Sequence, residues 1–108
     1  MLIPVLAFTI QATAYPADME RAELCRAHTM LLISDAYKES GRVAGPSWFI
    51  RDWWSAKLNE AQLSDERVAE VERTLKRRRT EDPQAFAAER TACIEEAIKA
   101  RAVPGMEP

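Results

Sequence analysis

The 108-residue chain has only three glycines, and no stretch in which apolar and polar residues alternate over the length of a strand. That composition argues against a β-sandwich or barrel, which needs both. There is one histidine and there are two cysteines, with no C-x-x-C pair, so thiol–disulfide catalysis has no motif to work from. No G-x-S-x-G or similar strand-turn-helix context is present to hold a Ser/His/Asp nucleophile. Charge of one sign is also missing in bulk. Fifteen basic and 17 acidic side chains give a formal net charge of −2, so no long-range field draws the whole protein to nucleic acid or anionic lipid. No apolar run approaches the roughly 20 residues that a membrane-spanning helix needs.

What is present is a chain 47% hydrophobic and 30% charged, the profile of a folded helical protein rather than a disordered one. The length suits one domain. Residues 2–10, Leu-Ile-Pro-Val-Leu-Ala-Phe-Thr-Ile, match a signal-peptide h-region, although no Lys or Arg precedes them. Ala12-Thr13-Ala14 then supplies the A-x-A arrangement of a cleavage site, which predicts a signal peptide over 1–14 and a mature helical domain over 15–108. The alternative is a first core helix or strand. No cysteine follows the run closely enough for lipid attachment, and no stable membrane span is expected once the leader is removed.

Cys25 and Cys93 are the only cysteines. An even count behind an export signal reads as a disulfide, because exported compartments are oxidising. Cys25 lies about seven residues into the first expected helix and Cys93 about nine before the end of the last. At 1.5 Å per residue these offsets are roughly 10 and 14 Å, so antiparallel first and last helices bring the two nearly level.

Four helices are expected. The first begins near Asp18 and runs to about Ser40, with Leu24, Cys25, His28, Leu31, Leu32, Ala36 and Tyr37 on its inward face. Gly41 to Pro46 breaks it. Ser47 then caps a second helix reaching about Ala61, with Phe49, Ile50, Trp53, Trp54 and Leu58 at helical spacing. After Gln62-Leu63-Ser64, a third helix is capped by Ser64 and carries Asp65 and Glu66 at the positive end of its dipole. Its apolar stripe is the narrow one of Val68, Val71 and Leu75. Asp82 caps and Pro83 opens a fourth helix to about Ala102, with Phe86, Arg90, Cys93, Ile94, Ala97 and Ile98 inward. The fold class is therefore all-α, a small bundle of about four helices with one disulfide joining the first and last. Short links favour up-and-down topology.

Three features carry candidate chemistry. His28 and Cys25 sit one turn apart and could share a face as metal ligands, but the disulfide takes the thiolate, so His28 reads as a structural histidine and neither metal nor cofactor is expected. The carboxylate pairs Glu20/Glu23 and Glu95/Glu96 read as solvated helix faces, because general acid–base work needs them to face one another in a cleft. Lys76, Arg77, Arg78 and Arg79 end the third helix, where cations offset its dipole; they are also a candidate surface for an anionic partner. Nucleic acid is not expected, since no aromatics interleave with these cations.

The strongest pointer is aromatic. All three tryptophans and one of three phenylalanines fall between Trp48 and Trp54. They cannot all face inward, since Trp53 and Trp54 differ by about 100° around the axis. The expected division puts Phe49, Ile50 and Trp53 inside and Trp48 or Trp54 at the rim, giving Trp48, Trp53, Trp54 and the basic run as the candidate interaction surface.

A leader, a cysteine in an early helix and a second in a late helix together resemble the layout of several groups of small bacterial periplasmic helical proteins. Acid-stress chaperones and immunity proteins of the Tai type are among them. The resemblance is architectural and implies no functional residues. The sequence thus points to an exported, periplasmic or secreted, non-enzymatic protein that binds another envelope or periplasmic protein. An acid- or stress-responsive chaperone is the alternative, recognisable by apolar surface appearing reversibly below about pH 4, near the ordinary pKa values of Asp and Glu. A small enzyme is the third possibility.

Overall fold

A computed structural model gives the fold and describes residues 17–58 and 63–106; the expected leader and its cleavage point lie outside them. Four helices follow one another: α1 (Ala17–Ser40), α2 (Gly45–Ser55), α3 (Asp65–Glu81) and α4 (Pro83–Lys99), and the described residues contain no strand. Local chemistry sets several of the boundaries. Ser64 accepts a hydrogen bond from the Arg67 amide, and Asp82 accepts one from the Ala85 amide, each meeting an N–H that a helix start leaves without a partner. Pro83 fills the first turn of α4, where its missing N–H costs nothing.

Three boundaries differ from expectation. α2 begins at Gly45 rather than after Ser47: Pro46 occupies the first turn, Ala44 is the cap residue with no side-chain bond, and Ser47 is buried inside the helix. The helix also stops at Ser55 instead of Ala61; turns at Ala56–Leu58 follow, and residues 59–62 lie outside the described ones. α4 ends at Lys99, and Arg101 adopts a left-handed φ of 63° that turns the chain so that Val103 tucks into the core.

The helices alternate in direction. Arg67–Glu23 and Arg79–Asp35 both pair residues 44 apart, so α1 and α3 run parallel. Arg21–Glu96, Cys25–Cys93 and His28–Glu89 step in opposite senses, so α1 and α4 are antiparallel. α2 touches α1 and α4, and α3 touches α1 and α4, but α2 and α3 do not meet. The section is therefore a rhombus with α1 and α4 as the central pair and α2 and α3 on opposite flanks. The disulfide between Cys25 and Cys93, with Cα atoms 5.3 Å apart, joins the central pair.

Each flank has its own core. On the α2 side Ala22, Cys25, Ile50, Trp54, Leu58, Cys93, Ala97 and Val103 pack together. On the α3 side the cluster is smaller: Ala27, Leu31, Leu75 and Phe86, with Leu24 and Val71 against it. Serving both flanks, α1 buries residues beyond one stripe, including Ala27, Thr29 and Ile33. Tyr37, placed on the inward face by spacing, is instead 65% exposed, because it lies in the last turn beyond the reach of either core. None of the described helices is long and apolar enough to cross a membrane.

Candidate functional site

The aromatic run on α2 divides differently from the expected pattern. Ile50 and Trp54, four residues apart, both point into the core, and Trp54 is only 1% exposed. Its indole N–H donates to the Cys93 carbonyl at 3.2 Å, which supplies the acceptor that a buried indole requires. Trp53 lies half-buried, meeting Trp54 edge-on at a centroid distance of 4.7 Å and carrying the Lys57 ammonium 4.1 Å above its ring. Phe49, expected inside, is 47% exposed, and Trp48 is 41% exposed. Having fixed Trp54 inward, the helix turns Phe49 well away from that face, since five residues correspond to about 140° around the axis.

Trp48 and Phe49, near the start of α2, and Tyr37, in the last turn of α1, are each exposed. The bond from Arg26 to Ser55 sets the antiparallel register of α1 and α2, which places the first turns of α2 beside the last turns of α1. Trp48 is not a loose side chain: the Arg51 guanidinium lies 4.9 Å from its ring centroid and is held there by Asp52 at 2.6 Å. A cation over an indole face both orients the ring and leaves its far side to solvent.

The basic run lies at the same end of the bundle, on the opposite flank. The α3 helix continues through it to Glu81, so Lys76 to Arg79 spread around the axis instead of projecting as a group. Arg78 turns onto Glu89 of α4 at 2.6 Å, and Arg79 reaches Asp35 of α1 at 2.8 Å. Lys76 lies 3.8 Å from Glu72 on its own helix, while Arg77 is exposed. The structure thus does not bring the basic run together with Trp48, Trp53 and Trp54.

Between the flanks lies a polar cluster that sequence spacing does not reveal. His28 is fully buried, its ring 4.8 Å from that of Phe86, and its Nε2 is 2.8 Å from Glu89 Oε1. A carboxylate oxygen only accepts, so Nε2 carries the hydrogen. Burial pushes the imidazole below its ordinary value of 6.5; Glu89 opposes that shift, while Arg90 and Arg78 add to it. Neutral His28 then leaves Nδ1 as a buried acceptor with no partner among the described residues. Arg90 packs over Phe86 at 4.8 Å, and burial lowers its pKa too, against the pull of Asp35.

Of the carboxylate pairs, Glu23 is buried and accepts from Nε and Nη2 of Arg67 at 2.7 and 2.8 Å, and Glu96 pairs with Arg21. Cys25 is held in the disulfide, and the described residues contain no group of three His, Cys, Asp or Glu side chains placed to hold a metal ion. No protein-family model matches the chain, nor does any curated protein or solved structure.

Proposed function

We propose that this is an exported, non-enzymatic interaction protein that engages another envelope or periplasmic protein through the aromatic corner formed by Tyr37, Trp48 and Phe49. The observation that carries this reading is the exposure of these three large aromatic side chains at one end of the α1–α2 pair. Single exposed apolar residues are ordinary, whereas a gathering of aromatics supplies the rigid, low-entropy contact area on which protein interfaces depend. Arg51 over Trp48 presents that ring in one orientation before any partner arrives. Export is supported by the disulfide, which persists in oxidising compartments, and by the leader expected over residues 1–14.

The reading is tested by placing a photo-activatable phenylalanine analogue at Phe49, with a control at the exposed Glu95 on α4, and irradiating cells of the native host. A covalent adduct to one protein at Phe49 alone, lost in a Trp48→Ala background, is the expected result. An adduct with the mass of two copies of this chain redirects the reading to self-association. Equal labelling from both positions overturns it.

A further inference from the structure

The sulfurs of the clamp belong to one flank of the bundle. Cys25 and Cys93 are fully buried and share a core with Ile50 and Trp54 of α2, whereas no residue of α3 belongs to it. On the other flank the central helices meet a separate cluster, built on Leu75 and Phe86. Trp54 covers the bond most closely: its ring is 1% exposed, and its N–H is held by the carbonyl of Cys93 itself.

The helix that shields the disulfide is also the one least able to stand alone. With 11 residues α2 falls short of the roughly 12–15 at which an isolated helix becomes even marginally stable. It follows α1 through Gly41, at a left-handed φ of 72°, and residues 42–44, which form neither helix nor strand. α3 is tied to the central helices by Arg67–Glu23, Arg78–Glu89 and Arg79–Asp35. Among the described residues the ion pair of α2 is Arg51–Asp52, which lies within the helix and anchors it to nothing else. Its seat rests on the burial of Ile50 and Trp54 and on two hydrogen bonds, Trp54 to Cys93 and Arg26 to Ser55.

We infer that α2 is a lid on the Cys25–Cys93 disulfide: a thiol reaches the bond only when α2 leaves the α1–α4 pair, in an opening during which α3 keeps its place. The chemistry that the lid controls is thiol–disulfide exchange with a dithiol. A thiolate of the dithiol attacks one cysteine sulfur, forming a mixed disulfide and releasing the other cysteine as a thiolate, which takes a proton from solvent. The second thiol of the reductant then closes on the mixed disulfide and frees the remaining cysteine. Two electrons pass from the dithiol to the bond, and the reductant leaves oxidised. With Trp54 seated, the first step has no path, because neither sulfur can be approached. The clamp is thus open to reduction on one side alone, and its lifetime is set by how often α2 lifts. The lid does not depend on whether the aromatic corner binds a partner.

The test uses the full chain at pH 7 with dithiothreitol as the reductant, the freed thiols being alkylated and counted by mass. Reduction of the native chain should be about a hundredfold or more slower than that of the same chain unfolded in urea. Two truncations on opposite flanks then separate opening of the lid from unfolding of the whole bundle. Ile50→Ala should speed reduction about tenfold or more, whereas Leu75→Ala, a cut of similar size in the α3 cluster, should change it less than about twofold. Trp54→Phe and Val71→Ala make a milder second pair, usable if the first does not fold, and should divide in the same way. Without reductant, amide exchange over residues 45–55 should rise in Ile50→Ala by the same factor as the reduction rate, with residues 65–81 unchanged. Acceleration by Leu75→Ala as great as that by Ile50→Ala means that the bundle must unfold before the bond is reached, and overturns the lid. So does reduction of the native chain at the unfolded rate, or an unchanged rate in both Ile50→Ala and Trp54→Phe.

Discussion

The indole of Trp54 on α2 donates its hydrogen bond to the carbonyl of Cys93, the residue through which α4 is bound to α1. One side chain thereby ties the flanking helix to the covalent clamp of the central pair. The bond and the apolar burial act separately, and two substitutions divide them. Trp54→Phe keeps most of the apolar area and removes the donor, which should cost about 1 kcal/mol. Trp54→Ala also opens a cavity and should cost about 3–5 kcal/mol. Urea denaturation with equal slopes checks both, and an unchanged stability in Trp54→Phe would show that the hydrogen bond contributes nothing.

The clamp itself closes a long loop, with 68 residues of sequence separation. On loop entropy, its removal by C25A/C93A should lower stability by roughly 4 kcal/mol, much of what a domain of this size has. The loss should appear mainly as a lower denaturation midpoint. A change below about 1 kcal/mol would mean that the unfolded chain keeps these segments together without the bond.

What sequence reveals here is local or covalent. Ser64 and Asp82 each state a helix start through a bond within three residues, Pro83 suits a first turn because it lacks an N–H, and two cysteines admit one pairing, so the four helices and their clamp are readable in advance. The orientation of α2 is not, because Phe49, Trp53 and Trp54 are equally apolar and the choice rests on a carbonyl 39 residues away. The same applies to the basic run, whose Arg79 finds its carboxylate 44 residues earlier, at Asp35. Helical spacing assigned α1 one inward face; as a central helix it needs two, which is why Ala27 and Ile33 are buried as well, while Tyr37 is exposed because it lies in the last turn.

The aromatic corner should be dispensable for folding. Trp48 and Phe49 are exposed, so W48A/F49A should change stability by no more than about 0.5 kcal/mol, the ordinary range for surface substitutions. Acrylamide quenching distinguishes the three indoles: Trp48 should form the accessible component and Trp54 the protected one. Trp48→Phe should therefore remove the most quenchable component, leaving half-buried Trp53 and buried Trp54, and shift the emission to the blue. Unchanged quenching in that variant would place Trp48 inside and take away the basis for the proposed contact surface.

His28 is the only histidine, so its titration can be followed as a single imidazole resonance. Burial pushes its pKa below the ordinary 6.5, with Glu89 pulling the other way. The folded midpoint should consequently lie under 6.5. The consequence for stability follows from which state binds the proton first. As pH falls through 6.5 the unfolded chain takes it up while the folded chain does not, so the contribution of neutral His28 is whole above 6.5. It declines as pH falls towards the folded midpoint and changes no further below it. His28→Gln, which keeps an N–H near the Glu89 carboxylate but cannot titrate, should flatten the stability profile in that interval. A midpoint above 6.5 would reverse the sign, making the Glu89 pair stronger than the burial penalty and His28 a residue that strengthens the bundle in mild acid.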